Sequence, residues 1–286
     1  MSLGRTAASF LRWRLVPVRY AGRVARLRPR HFRRLPPVRT ALAAEIAREG
    51  YAIGPVLGAS ETAAINERYR PRIAGVARKD DGHPFVNLLT AADLSADDPV
   101  VRLAFSPQIL DVAADYFGGA CILDSIQVLY SYPTEMPLRE SQKWHKDYGD
   151  SRSFHCIIYL NDVLTEADGP FVFVNRSDTG KIGAAPIIRR IPDDRFLQEL
   201  GPGKVRSFLA PAGSSVYVDP AACYHYGSRC RNDGGRLALF VTFNSTTPFV
   251  APMPIVSQNR RALFEIARSL RGDLSVSFLE DLLELS

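Results

Sequence analysis

Trp144-His145-Lys146-Asp147 places an imidazole and a carboxylate two residues apart; His225 follows eighty residues later, and Arg236 stands eleven beyond it. In an extended chain, residues i and i+2 project to one side. His145 and Asp147 can therefore offer a nitrogen and an oxygen to one ion without backbone strain, and His225 from a later strand completes a face of three ligands. Two imidazoles and one carboxylate leave coordination positions open, the donor set of non-haem Fe(II) oxygenases. A closed zinc site needs a fourth soft or nitrogen ligand, and the chain has no Cys-x-x-Cys pair. Arg236 adds a cation that stays charged when buried and grips a carboxylate in a fork. It suits the far carboxylate of 2-oxoglutarate, whose keto-acid end would chelate the iron.

Each of these residues also has an ordinary reading. A lone histidine is usually hydrogen-bonded and structural, and His-x-Asp arises by chance. With only five histidines in the chain, the ordered set favours the metal. His31 and His83 read as solvated. His155, between Phe154 and Cys156, reads as structural or as a support to the ligands. Cys223, His225 and Cys230 mimic part of a zinc site. Trp144 and Tyr148 are either pocket walls or core aromatics.

The elements that must position these groups follow from local pattern. Thr40 to Glu49 reads as a helix stopped by Gly50, and Tyr51-Ala52-Ile53 as a strand. Ser60 and Glu61 would cap a helix ending near Pro71, and residues 98–117 read as two more, closed by Gly118-Gly119. From about 120 to 245 the expected strands are Ala120–Tyr132, Phe154–Leu160, Phe171–Asn175, Ser214–Val218, Ala222–Arg229 and Arg236–Phe243, a density that suits a sandwich or jelly-roll. Asn232-Asp233-Gly234-Gly235 reads as a hairpin turn, which would put His225 and Arg236 on adjacent antiparallel strands with irregular pairing. Residues 258–286 return to helix, with Leu263, Ile266, Ala267 and Leu270 on one face. The expected organisation is a basic arm over 1–40 and a single domain over 41–286.

Charge divides along the same line. Residues 1–40 hold eleven arginines and no acid, whereas the remainder holds 25 basic against 30 acidic residues. The arm is similar to an organellar transit peptide, to a surface-seeking amphipathic segment that would give peripheral membrane contact, or to an idle tail. These readings place the protein in a mitochondrion or, in a bacterium, in the cytoplasm. No run of eighteen apolar residues exists, so no membrane-spanning helix is expected. Four scattered cysteines imply no disulfide framework. The arginine excess does not point to nucleic acid, and oligomeric state is not legible.

With the candidate ligands in place, the chain resembles the phytanoyl-CoA dioxygenase family of Fe(II)/2-oxoglutarate oxygenases. The likeness covers about residues 49–245. It runs through Gly50-Tyr51-Ala52-Ile53-Gly54-Pro55, the Trp144–Asp147 motif, Tyr159-Leu160-Asn161-Asp162 and Asp168-Gly169-Pro170-Phe171-Val172-Phe173-Val174. It continues in Ala212-Gly213-Ser214-Ser215-Val216-Tyr217, His225 and Arg236. The resemblance implies a mainly β fold with flanking helices, built on a double-stranded β-helix (a cupin-like jelly-roll). It implies iron on His145, Asp147 and His225, and 2-oxoglutarate on Arg236 with help from Gln127 and Phe240. Two departures stand out. Asn175-Arg176-Ser177-Asp178 replaces the family's Pro-Gly-Ser-His turn, and Gly227, with Ser228 beside it, occupies a position that is often a small hydroxyl residue. Asp147 is present, whereas halogenating relatives carry Gly or Ala there, so hydroxylation is the implied reaction.

The reading is therefore an Fe(II)- and 2-oxoglutarate-dependent dioxygenase that uses O2 to hydroxylate a C–H bond of a small organic substrate, releasing succinate and CO2. A catalytically inactive jelly-roll binding or scaffold protein, or a membrane-surface protein acting through its arm, is the alternative. Residues 79–96 and 176–210 are the expected loops over the site. Arg176, Lys181, Arg189, Arg190 and Arg195 there suit an anionic substrate, and surface solvation explains them equally well.

Overall fold

A computed structural model describes residues 40–76, 84–133, 137–147, 149–182, 190–201 and 203–285. The arm up to residue 39 with His31, and also His83, Tyr148 and Arg189, lie outside the described residues.

Helix α1 (Ala41–Glu49) begins where the Thr40 hydroxyl accepts from the Ala43 amide and ends at Gly50, whose φ of 87° is the left-handed cap that glycine adopts readily. A Cβ at Gly50 would also stand 2.3 Å from the Cys223 sulfur, so the position is closed to side chains. Strand β1 (Tyr51–Ile53) follows, then α2 (Ala59–Tyr69). The N-cap of α2 is Gly58 rather than Ser60: the Glu61 carboxylate reaches back to the Gly58 amide at 3.2 Å. Beyond β2 (Phe85–Asn87), the expected helical pair appears as α3 (Pro99–Ala104) and α4 (Val112–Tyr116), joined through a single π-helical turn over Pro107–Asp111.

The strand region comprises β3 (Ile122–Ser131), β4 (Ser153–Tyr159), β5 (Phe171–Phe173), β6 (Arg206–Phe208), β7 (Ser215–Val218), β8 (His225–Tyr226) and β9 (Arg236–Asn244). Between β5 and β6 lie α5 (Arg176–Thr179) and α6 (Asp193–Leu200). The chain ends in α7 (Pro254–Ser257), α8 (Arg260–Leu270) and α9 (Val276–Leu282). The expected stripe on α8 is the buried one, with Leu263, Ile266 and Ala267 in the core and Leu270 packed against it.

The strands form a major antiparallel sheet in the order β1-β7-β4-β9-β3-β2 and a minor one in the order β6-β5-β8. Alternation along each strand divides the molecule into three apolar layers. One face of the major sheet (Ile126, Val128, Cys156, Ile158, Tyr217, Leu239, Val241 and Phe243) packs under the helices. The opposite face (Ile157, Tyr159, Val216, Val218 and Ala238) meets Phe171, Phe173 and Phe208 of the minor sheet. The outer side of the minor sheet is covered by Ile182, Ile191, Phe196 and Leu200.

Three expectations are corrected. β8 and β9 are not a hairpin: β8 pairs with β5 in the minor sheet and β9 with β3 and β4 in the major sheet. The turn residues at 232–235 carry the chain from one sheet to the other, so His225 and Arg236 face each other across the interior. Ala222–Arg229 likewise contracts to the two residues of β8, because the chain bends on both sides to deliver His225. Residues 79–96 and 176–210, read as loops, contain β2 and β6, strands too short to show an alternating pattern.

Candidate metal centre

His145 does not sit in a full strand. It joins the minor sheet by single bridges, Trp144 to Ile191 on one side and His145 to His225 on the other. The His145–His225 pair exchanges both backbone hydrogen bonds, at 3.0 and 2.9 Å, which sets the two side chains on the same face. The Asp147 amide donates to the Pro220 carbonyl at 2.9 Å, holding the chain extended for two more residues. The parity argument for His145 and Asp147 therefore holds, although the strand that carries it is only a bridge.

One ligand atom from each of His145, Asp147 and His225 lies within 4.8 Å of the others. The Nε2 atoms of His145 and His225 are 3.7 and 3.9 Å from Asp147 Oδ1. His145 Nδ1 lies 2.8 Å from the Lys143 carbonyl, and His225 Nδ1 lies 3.0 Å from the Cys223 carbonyl. A carbonyl only accepts, so each Nδ1 carries the proton and each Nε2 presents a lone pair to the centre. Burial pushes the His145 pKa down to about 2, with His225 adding to the effect, and burial also lowers that of His225. Both rings are thus neutral, as metal ligands must be. Burial alone would raise the Asp147 carboxyl, but His225, His155 and His145 around it outweigh burial and hold it below the ordinary carboxylate range.

His155, on the interior face of β4, brings its Nε2 to 3.6 Å from Asp147 Oδ2, the oxygen turned away from the other two imidazoles. Its expected supporting place is where the structure puts it. Burial lowers its pKa to about 4.

Arg236 is 2% exposed. Its Nη1 donates to the Gly169 carbonyl at 2.6 Å, and its Nη2 reaches Ser228 Oγ at 3.2 Å and Ser131 Oγ at 3.4 Å. All three acceptors are neutral, and the buried Nε has no partner. No carboxylate pairs with this guanidinium among the described residues. A buried cation without a counter-ion is costly, so the pocket is shaped for an anion brought in from outside. Gly227 lies against the guanidinium: a Cβ there would stand 3.5 Å from Nη2. The missing hydroxyl is supplied one residue later by Ser228, which adopts φ 60° while Gln142 Nε2 holds its carbonyl at 2.8 Å. Ser131, directly opposite Arg236 in the β3–β9 register, could have been found from the alternation of β3; Gly169 and Gln142 left no comparable signal.

Gln127 and Phe240 are register partners, and Phe240 is also opposite Ile157, so all three share one row on the interior face. Trp144 points the other way. It stacks on Phe196 at 4.0 Å in the outer layer and is a core aromatic, not a pocket wall. Cys223 is buried in the interior layer and Cys230 donates to the Asp168 carbonyl at 3.4 Å, so neither joins the His145–Asp147–His225 group.

No protein-family model matches the sequence, and no curated protein does either. Solved structures do resemble the chain. The epimerase SnoN with Fe3+, alpha ketoglutarate and nogalamycin RO aligns with a TM-score of 0.54 and 22% identity, covering 75% of this chain and 85% of that one. EctD from S. alaskensis with 2-oxoglutarate and 5-hydroxyectoine gives 0.52 and 20% identity over 76% and 82% of the two chains. HygX from Streptomyces hygroscopicus with nickel and 2-oxoglutarate gives 0.51 and 16% over 73% and 88%. The fold is a double-stranded β-helix. In this β-helix the candidate ligands sit between the two sheets, at the edge of the minor one, and Arg236 lies at the start of a central strand of the major sheet.

Proposed function

We propose that the protein is an Fe(II)- and 2-oxoglutarate-dependent oxygenase that hydroxylates a small organic substrate, related to the phytanoyl-CoA dioxygenase family. The observation that carries this reading is the pairing of two features in one interior. Two neutral imidazoles and a carboxylate converge on a point, and a buried guanidinium on the facing sheet lacks an anion. The first fits a divalent cation with open positions, and the second fits the far carboxylate of a dicarboxylate. The similar structures with 2-oxoglutarate bound support the same reading.

His145, Asp147 and His225 would hold the iron. Arg236 would take the distal carboxylate, with Ser131 and Ser228 orienting its fork and Gln127 and Phe240 forming the wall between the two ends. Iron with 2-oxoglutarate and O2 bound there supplies an oxidant for a C–H bond, with succinate and CO2 released. The apolar interior around Ile157, Val216 and Ala238 excludes bulk water from that chemistry. The retained Asp147 supports hydroxylation over halogenation.

The decisive measurement is anaerobic binding of Fe(II) and 2-oxoglutarate, followed by a succinate-release screen against a metabolite library. Undetectable binding in soundly folded protein overturns the proposal. Binding without succinate from any substrate favours an inactive jelly-roll binding protein. Because SnoN is an epimerase, the product's mass and configuration must both be read: a gain of one oxygen supports hydroxylation, and an inverted centre without it does not.

A further inference from the structure

Residues 176–210 hold seven cations. Lys204 lies 3.7 Å from Asp178 and Arg206 lies over the Tyr51 ring. Of the five that read as suiting an anionic substrate, three are committed to carboxylates. Arg176 donates to buried Asp219 at 3.1 Å, Lys181 pairs with Asp178 at 2.7 Å, and Arg195 pairs with Glu199 at 3.3 Å. Arg189 lies outside the described residues. Arg190 differs from these because of where the ladder puts it.

The Ile191 amide donates to the Trp144 carbonyl at 2.9 Å in an antiparallel bridge. That register sets Arg190 opposite His145, and His145 is in turn opposite His225. Directly opposed residues share a face of the sheet, so Arg190 belongs to the row that carries the ligands. The 144–191 pair is hydrogen-bonded, which makes 145–190 the close kind of antiparallel pair, with Cα atoms about 4.5 Å apart in regular geometry. The charge of Arg190 acts on all three candidate ligands, favouring the deprotonated form of each. Among the described residues its one ion-pair partner is Glu140, with Nη2 and Oε2 3.6 Å apart, beyond hydrogen-bond length. Glu140 is itself 69% exposed, so solvent screens the pair.

A guanidinium thus stands at the rim of the centre, on the side where Asp147 is 33% exposed. Facing a divalent ion, it would be repelled unless an anion lay between them. The distal carboxylate of 2-oxoglutarate already has its own arginine in Arg236, and its keto-acid carboxylate and Asp147 would be taken up by the metal, so this second cation suits a further anion. We propose that Arg190 is the substrate-recognition residue and that the substrate is a small organic anion, whose carboxylate or phosphate group is held by Arg190 near the carbon that is oxidised. This inference rests on the Fe(II)/2-oxoglutarate reading and narrows its substrate class.

The test uses the full chain loaded with Zn(II), which is redox-inert, and 2-oxoglutarate. Binding of hexanoate, benzoate, hexyl phosphate and phenyl phosphate is measured by ligand-observed NMR, beside the uncharged hexanamide, benzamide and hexanol. The expected result is preference for anions, with the carboxylate or the phosphate arm naming the head group. Arg190→Gln should weaken that binding at least about tenfold, the loss of one charge-assisted hydrogen bond. Arg190→Lys should fall between, and Arg195→Gln should match wild type. Wild-type protein that takes up metal and 2-oxoglutarate but shows no preference for anions overturns the inference alone. So does anion binding that Arg190→Gln leaves intact, or an Arg190→Gln protein that loses Zn(II) or 2-oxoglutarate, which would assign Arg190 to the centre instead. Wild-type protein that takes up neither overturns the underlying reading and this inference with it.

Discussion

His145 and His225 form one hydrogen-bonded antiparallel pair, with backbone bonds of 3.0 and 2.9 Å and ring centroids 4.2 Å apart. The separation of two candidate ligands eighty residues apart in sequence is therefore set by a backbone ladder, and the third candidate, Asp147, is tied by its amide to Pro220. A side-chain substitution at Asp147 leaves all of these bonds in place. Asp147→Ala should keep the fold, by circular dichroism, while losing Fe(II) affinity by more than the roughly 10–100-fold typical of residues that merely support ligands. An anaerobic Fe(II) titration checks this, and an unchanged titration removes Asp147 from the ligand set.

Arg236 should separate metal binding from co-substrate binding. Arg236→Met removes both the charge and the fork, and about 2–3 kcal/mol of interaction with a carboxylate, so the 2-oxoglutarate requirement should rise by on the order of a hundredfold. Arg236→Lys keeps the charge but not the planar fork and should rise less. Iron affinity should be spared in both variants. Melting curves give a second measure: 2-oxoglutarate with Mn(II) should raise Tm in wild type and leave Arg236→Met near its Mn(II)-only value. A drop in metal affinity equal to the drop in 2-oxoglutarate affinity would refute the division of roles.

The grouping of His145, Asp147 and His225 was legible in the sequence because residue type and two-residue parity are local properties. The β8–β9 connection was not, since a turn signal at 232–235 says that the chain reverses without saying in which sheet it lands. Trp144 was ambiguous for a related reason: neighbours in a strand face opposite sides, and only the packing of Phe196 shows which side is interior. The hydroxyl expected two residues after His225 is one residue displaced, made possible by the positive φ of Ser228, which no residue pattern announces. Arg190 gained its meaning only from register, because the seven cations of residues 176–210 look alike until their partners are known.

Asp219 links the helical layer to the candidate ligands. It is fully buried and accepts from Tyr116 Oη at 2.5 Å, Arg176 Nη2 at 3.1 Å and the amides of Ser153 and Ala221 at 3.1 and 3.0 Å. The turn it shapes supplies the Pro220 carbonyl to the Asp147 amide and the Cys223 carbonyl to His225 Nδ1. Asp219→Asn cannot accept at both oxygens. It should cost about 2–4 kcal/mol of stability and weaken Fe(II) binding by about tenfold, with Asp147 and His225 both intact. Denaturant melts and the same Fe(II) titration read the two effects. Loss of stability with unaltered metal affinity would leave Asp219 a purely structural residue.

Acid sensitivity should trace in part to Asp93, away from the centre. The Arg72 fork, at 2.7 and 2.6 Å, holds the Asp93 carboxyl well below the usual range against the opposing effect of burial, and the Thr90 amide and hydroxyl contribute at 2.9 Å each. The folded pKa lies below the unfolded value of about 3.9, so the unfolded state takes up this proton first as pH falls. The contribution of Asp93 is thus complete above about pH 5 and is lost progressively as pH drops through 4 toward the folded value. Asp93→Asn lacks this titration. It should be less stable than wild type by about 2 kcal/mol at pH 7, a figure kept modest because Arg72 is about a third exposed. The gap should narrow as pH is lowered from 5 to 3. Urea melts across that range test the sign directly, since other carboxyls titrate equally in both proteins. A gap that stays constant, or widens toward acid, would show that Asp93 does not carry the linkage.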